Sequence, residues 1–281
     1  MNKLYCIYKK PDLSVDLLKK SAKDNGLGFI HINPDTFDDS SKIDFQKGDL
    51  LYRPGIGKDC RNIEIALINS AVTTFYRTYE RATTKISNLL TYQKNNLPVP
   101  KTILELTRDR ELLKKHVAEV GGFPIIIKAV GGSHGIGVMK IDSFSSLFSI
   151  IDFLLIKNKD TTFVMKQFIN VTCSARLIVL GDSVIDSIEY SAPEGDFRSN
   201  EGDTPNVKIK KFSPEVEKTA VAATKALGLE FAGADVLIDD EGNHYLAETN
   251  FPCFFPRAQE LTGKNISDLM VKYLIKKATK G

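Results

Sequence analysis

The sequence predicts an α/β protein assembled from α+β lobes, and three stretches predict it. The first reads strand, helix, strand over residues 3 to 8, 14 to 25 and 28 to 32, with the helix closed near Gly26. A βαβ start makes a parallel sheet the economical arrangement. The second is Leu97-Pro98-Val99-Pro100, whose prolines end one helix and open a new alternation of strands and helices. The third, residues 233 to 250, reads as two strands around Glu241-Gly242, a two-residue hairpin turn. At 281 residues the chain has room for two or three lobes with cores of their own. The expected divisions are 1–96, 97–168 and 169–281.

In the first division a third strand, Asp49 to Tyr52, runs into Arg53-Pro54-Gly55-Ile56-Gly57. Glycine-rich strand ends are where open α/β sheets meet ligands. Arg53 there is either a grip for a carboxylate or phosphate, or an ordinary ion pair. A helix at 59 to 69, a strand at 72 to 75 and a helix at 82 to 95 complete the division. The second is read as strand 101–104, helix 109–120, strands 123–130 and 138–141, helix 144–156 and strand 163–169. The third begins with strands 175–180 and 183–190 about Gly181-Asp182. Helix 214–227 follows, started by Ser213-Pro214-Glu215, then the hairpin and a last helix at 265–277.

Composition excludes several classes. A net charge of +3 is too small to argue for nucleic acid, and the lysines scatter apart from a modest group at Lys208, Lys210 and Lys211. No apolar run reaches membrane-spanning length, and the charged strand at the N-terminus does not read as a signal peptide. Cys6, Cys60, Cys173 and Cys253 lie far apart without metal-ligand spacing, which reads as reduced thiols in a cytoplasmic protein. Cys253, beside the hairpin, has no histidine partner in view and reads as packing.

The hairpin carries the first chemical signal. With Asp240 opposite Asn243, counting outward sets Asp235 across from Glu248. Directly opposite residues have Cβ atoms about 4.5–5.5 Å apart, and two carboxylates at that range repel unless a cation or proton lies between them. Asn250, two residues on, points to the same face. Such an oxygen set suits Mg²⁺; a solvated acidic face is the other reading of the hairpin alone. Upstream, Lys128 sits inside the β-branched run Phe123 to Val130. Burying it is costly unless an anion faces it or its stem reaches water. The turn Gly131-Gly132-Ser133-His134-Gly135-Ile136-Gly137-Val138 lets backbone N–H groups close over phosphates. It lacks the ending of a Walker A loop, and it joins two strands, so it is not a Rossmann fingerprint.

A strand lysine, a glycine flap, the polar loop Asp196-Phe197-Arg198-Ser199-Asn200 and the Asp…Glu-x-Asn hairpin, in this order, resemble the ATP-grasp ligases. The similarity is greatest to their RimK-like carboxylate–amine branch (alpha-L-glutamate ligase-like), and it covers nearly the whole chain. Its most specific matches are Gly121-Gly122-Phe123-Pro124 through Lys128, Gly135 to Val138, Glu194 to Asn200, and Glu248-Thr249-Asn250. Arg53 to Gly57 stands where that branch has a Pro-Arg-Ile-Gly turn. The resemblance implies an ATP-grasp fold with an N-terminal βαβ pre-ATP-grasp domain and the nucleotide held between two α+β lobes.

It also implies site residues. Lys85 and Lys128 would hold the ATP phosphates, under a flap of Ser133, His134, Gly135, Ile136 and Gly137. Lys166, Gln167, Phe168 and Ile169 fall on the hinge whose backbone meets adenine. Arg176 and Lys128 would carry catalytic charge at the reacting phosphate; Arg198, Ser199 and Asn200 match a nucleotide-proximal loop. Asp235, Glu248 and Asn250 match the metal ligands. Four departures stand out: Gln167 replaces a glutamate, Ser174 falls near a ribose-binding aspartate, Glu201 to Pro205 replaces a basic stretch, and Phe251 to Arg257 replaces a small Ala-Ser-Pro-Gly segment. The aromatics of the last read as core packing that would also reshape the acceptor pocket.

The expected activity is ATP-dependent amide formation through an acylphosphate, with ATP and Mg²⁺ (two ions, Mn²⁺ the alternative). The expected partners are a carboxylate substrate and an amine acceptor that is a protein, peptide or small molecule, with homo-oligomerisation left open and no nucleic acid or membrane. The alternatives are an ATP-grasp kinase acting on a hydroxyl and a non-catalytic Mg-ATP-binding scaffold.

Overall fold

Three β-sheets follow one another along the chain in the computed structural model, which describes all residues except 39, 41–42, 69–71, 79–83, 131–135, 158–160, 192–205 and 281. The first stretch comprises β1 (Lys3–Ile7), α1 (Leu13–Asp24), β2 (Gly28–Ile32), β3 (Leu50–Tyr52), α2 (Lys58–Leu67) and α3 (Lys85–Lys94). Its strands lie in the order β2-β1-β3, both pairings parallel. Asp12 starts α1 by accepting from the Val15 N–H at 3.1 Å, and Val15, Leu18 and Ala22 bury the face that this spacing creates. The strand expected at 72 to 75 is instead a single parallel bridge from Thr73 to Leu50. β3 is three residues long, and Thr73 exchanges only two hydrogen bonds with it and its flank, to Leu51 and Asp49.

The second stretch is β4 (Thr102–Ile103), α4 (Arg110–Glu119), β5 (Ile125–Ala129), β6 (Val138–Ile141), α5 (Phe144–Lys157) and β7 (Phe163–Gln167), an antiparallel sheet ordered β4-β7-β5-β6. Alternation along its strands decides what faces what. Ile125, Ile127, Phe163 and Met165 pack into a core with Leu113, Val117, Leu147 and Ile151 of α4 and α5. Ile126, Lys128, Val164 and Lys166 therefore share the opposite face.

The third stretch is β8 (Val171–Leu180), β9 (Ser183–Ser191), β10 (Asn206–Ile209), α6 (Pro214–Ala226), β11 (Phe231–Asp239), β12 (His244–Asn250), α7 (Pro256–Thr262) and α8 (Ile266–Ala278). Its antiparallel sheet is ordered β10-β9-β8-β11-β12. Neither β10 nor α7 was expected. β10 is short, lysine-bearing and mostly exposed, so it lacks a buried period. α7 begins at Pro256, inside the segment expected to be an aromatic turn; proline fits the first helical position. One face of this sheet packs on α6 through Ala175, Leu177 and Val236. The other shares a core with the first sheet, joining Leu4, Leu50 and Phe75 to Ile178, Phe231, Phe255 and Met270. Lys277 pins that junction, donating to the carbonyls of Thr74 (3.0 Å) and Tyr76 (2.6 Å) and to Glu230 (2.6 Å). All four cysteines are free and buried. Among the described residues no helix is long and apolar enough to cross a membrane.

Candidate active site

The β11–β12 hairpin reaches the expected register by an unexpected route. Its loop has three residues, closed by the Asp239 N–H donating to the Asn243 carbonyl at 3.0 Å. Gly242 takes a left-handed φ of 82°, as three-residue hairpin loops require. The Asp239 carboxylate holds the loop by accepting from the N–H groups of Glu241 (3.1 Å) and Asn243 (2.7 Å). A loop one residue longer than Glu241-Gly242 would shift every later pair by one. The register slips back between Asp235 and Val236, where Ala247 is the extra residue of a β-bulge. Asp235 thus faces Glu248 after all, and Gly233 faces Asn250.

Asp235 is only 7% exposed, and Arg176 of β8 lies opposite it on the other side. The guanidinium grips both oxygens, Nε on Oδ1 and Nη2 on Oδ2 at 2.9 Å, while the Asn250 amide donates to Oδ2 at 3.0 Å. Burial raises the Asp235 carboxyl against the pull of Arg176. Burial also works to lower the Arg176 guanidinium, and Asp235 overrides it and holds Arg176 charged. Gly233 makes this packing possible: a Cβ there would stand 2.5 Å from Cys253 Sγ and 3.1 Å from Arg176 Cδ. A glycine inside a strand was the sequence signal for such close approach, and it went unread.

Glu248 points into a cleft of about 640 Å³, counted to its open mouth, between the hairpin, α3 and the β5–β7 face. Lys85, the first residue of α3, reaches Glu248 Oε2 at 3.1 Å. Lys128 and Lys166 enter from the opposite sheet. Burial alone would raise the Glu248 carboxyl, but Lys85 and Lys128 hold it below its ordinary value. Desolvation lowers Lys128, with Glu248 resisting and Lys85 assisting. Desolvation, then Lys128, lowers Lys166 to about 8. Three ammonium groups and one carboxylate on the walls of the cleft make a site for anions. The Asn88 Oδ1, Tyr92 hydroxyl and Thr249 Oγ1 atoms belong to residues that line the same cleft and are buried without hydrogen-bond partners among the described residues, Tyr92 lying beside Thr249.

A pH dependence follows from Lys166. Between about pH 8 and 10.5 the unfolded chain keeps a proton there that the folded chain has released. Stability in the absence of ligand is expected to rise with pH across that window, whereas below it both states are protonated and this slope vanishes. Urea melts across the window check it, with Lys166→Met removing this component of the slope.

Residues 82–274 match the model of the family described as "RimK-like ATP-grasp domain". The chain belongs to the RimK-like ATP-grasp family. The proteins named "Probable alpha-L-glutamate ligase" from Nitrosococcus oceani and Marinomonas sp. are similar to it. The first is 32% identical over 58% of this chain and 54% of its own; the second is 31% identical over 70% and 65%. The chain thus spans between about half and two thirds of the length of these two curated relatives. Solved structures share the ATP-grasp fold. The ATP-grasp ligase PsnB, complexed with minimal precursor, Mg and ADP, aligns over 99% of both chains with a TM-score of 0.76 at 19% identity. The D-alanine–D-alanine ligase of Bacillus anthracis aligns over 100% of this chain and 98% of its own, with a TM-score of 0.68 at 18% identity.

Elsewhere in this RimK-like ATP-grasp protein, several expected roles meet other surroundings. Ser133, His134, Gly135, Arg198, Ser199 and Asn200 lie outside the described residues. Ile136 is exposed, and the Gly137 carbonyl accepts from Ala129 at 2.9 Å. Gln167 is engaged with the start of β4, its Oε1 accepting from the Lys101 N–H at 3.3 Å. Phe168 lies under the Lys140 ammonium, and Ile169 is buried. Ser174 is buried in β8 on the face that carries Arg176. Arg53 does not face the cleft: it is buried in an ion pair with Glu64 at 2.6 Å, also donating to the Gly55 carbonyl. Phe251 and Phe255 pack against Tyr52, Tyr76 and Phe231, whereas Phe254 is exposed. Burial raises the Cys253 thiol to about 11, which leaves it a packing residue beside Arg176.

Proposed function

We propose that the protein is an ATP-dependent carboxylate–amine ligase that forms an amide through an acylphosphate. The reading is carried by Lys85, Lys128 and Lys166, which line the cleft with Glu248, whose strand neighbour Asp235 is paired with Arg176. A substrate carboxylate oxygen attacks the γ-phosphorus of ATP and ADP leaves. An amine then attacks the acyl carbon, phosphate leaves with the bonding electrons, and the amine proton passes to solvent. Phosphoryl transfer asks the protein mainly for alignment and for positive charge that is already in place. Lys85 and Lys128 supply that charge along the phosphates, and Arg176, locked by Asp235, supplies it in a fixed orientation.

The oxygen donors fit a hard divalent cation. Among the described residues no group of three or more His, Cys, Asp or Glu gathers, so Glu248, Asp235 and the Asn250 amide would hold Mg²⁺ with phosphate oxygens and water completing the shell. Asp235 already commits both oxygens to Arg176 and Asn250, which leaves Glu248 as the principal donor. Bound there, Mg²⁺ neutralises charge on the transferring phosphoryl group. The relatives' names and the complex of PsnB with the precursor peptide PsnA2 and AMPPNP support an amino-acid or peptide substrate. The division at residues 96 and 168 and a cytoplasmic setting belong to the same reading.

The test supplies amino acids and candidate carboxylates with Mg-ATP and follows products by mass. The expected result is ADP and phosphate in equal amounts with an amide, and an acyl hydroxamate when hydroxylamine replaces the amine. ADP without free phosphate would identify a kinase, and binding without turnover a scaffold; either outcome sinks the ligase reading.

A further inference from the structure

We propose that the Lys166 side chain is a third phosphate-binding cation of the cleft, acting with Lys85 and Lys128 on a nucleoside di- or triphosphate. This rests on the nucleotide reading above and reassigns a residue whose expected contribution was backbone alone.

Register supplies the geometry. Lys128 pairs with Val164 and Ile126 with Lys166, so the two lysines stand two positions apart on one sheet face. The other face of both strands is filled by the core of α4 and α5, which leaves the Lys166 stem only the cleft. Lys85 approaches from α3 on the far wall. Desolvating an ammonium is costly unless an anion meets it. Among the described residues of the cleft Glu248 is one carboxylate for three lysines, and it holds Lys85 at 3.1 Å. Asp235 is taken up by Arg176 and Asn250. Among the described groups two positive charges exceed the carboxylate, a balance that a phosphate chain meets and an uncharged nucleobase does not. Lys166 also responds to the same charges as Lys128, namely Glu248 and Lys85. Lys166 thus faces the same charged groups of the cleft as Lys128. Its neighbour Gln167, bound to Lys101, turns away from that task.

The test is isothermal titration of wild type, Lys166→Met and Lys166→Arg with ADP and with adenosine, each in Mg²⁺. Losing one charged contact to phosphate should weaken ADP binding to Lys166→Met by about tenfold or more and leave adenosine unchanged, and Lys166→Arg should restore most of the loss. A thermal melt of each variant checks folding; methionine keeps the stem and removes a desolvated charge. Equal losses for ADP and adenosine would overturn the proposal in favour of a base contact or packing. Unchanged ADP affinity in Lys166→Met would overturn it outright. Wild-type protein that binds ADP no tighter than adenosine would overturn the nucleotide reading of the whole cleft, and the role of Lys166 with it.

Discussion

Glu248→Gln is expected to lower the rate of ADP release by about a hundred- to a thousandfold, the scale of removing one preorganised electrostatic group from an active site. Among the described residues Glu248 is the acidic side chain that lines the cleft, paired there with Lys85 at 3.1 Å. Glutamine keeps the shape and discards the charge, so Lys85 and Lys128 lose their counter-ion. Two measurements separate this from misfolding. The melting temperature should stay near wild type, because the Glu248 side chain is 31% exposed and holds a surface-accessible lysine. ADP affinity without Mg²⁺ should be undiminished, while its enhancement by Mg²⁺ disappears. Wild-type turnover in the variant would remove Glu248 from the metal set.

Arg176→Met is expected to be the most destabilising single change in the site. It leaves the Asp235 carboxylate, 7% exposed, with the Asn250 amide as its one remaining side-chain donor among the described residues. Breaking a buried ion pair by removing one partner costs about 3–5 kcal/mol, most of it the desolvation of the stranded charge. Chemical denaturation should show that loss as a lower midpoint at an unchanged slope. The double variant Arg176→Met/Asp235→Asn should regain much of the stability, because no charge is left stranded, while remaining inactive. A double variant no more stable than the single one would mean that Arg176 matters for packing against Gly233 and Cys253 more than for charge.

The hairpin shows how a correct contact can be reached through two offsetting misreadings. Counting from Glu241-Gly242 set Asp235 opposite Glu248, and they are opposite. The true loop is one residue longer, and the bulge at Ala247 restores the offset. Turn chemistry is local and legible, since Gly242 and Asp239 announce a tight loop. A bulge is set by how two strands pack on a third, and nothing in the residues 235 to 248 requires it.

What the sequence determined by itself was everything governed by neighbours along the chain. Helical spacing of Val15, Leu18 and Ala22, capping by Asp12 and Ser213, and the in–out alternation of Ile125 to Lys128 set element types and buried faces with little outside help. The ordered series of lysine strand, glycine turn and acidic hairpin was enough to point to the family. Tertiary structure alone decided partnerships. Arg53 went to a buried Glu64 and not to the cleft, Arg176 to Asp235, and Lys166 to the cleft with two other lysines. The reason is physical. A side chain's direction follows from its own strand, but its charge is balanced by groups hundreds of residues away or next door with equal ease. Only the packed sheets and α3 bring Lys85, Lys128, Lys166 and Glu248 to the walls of one cleft.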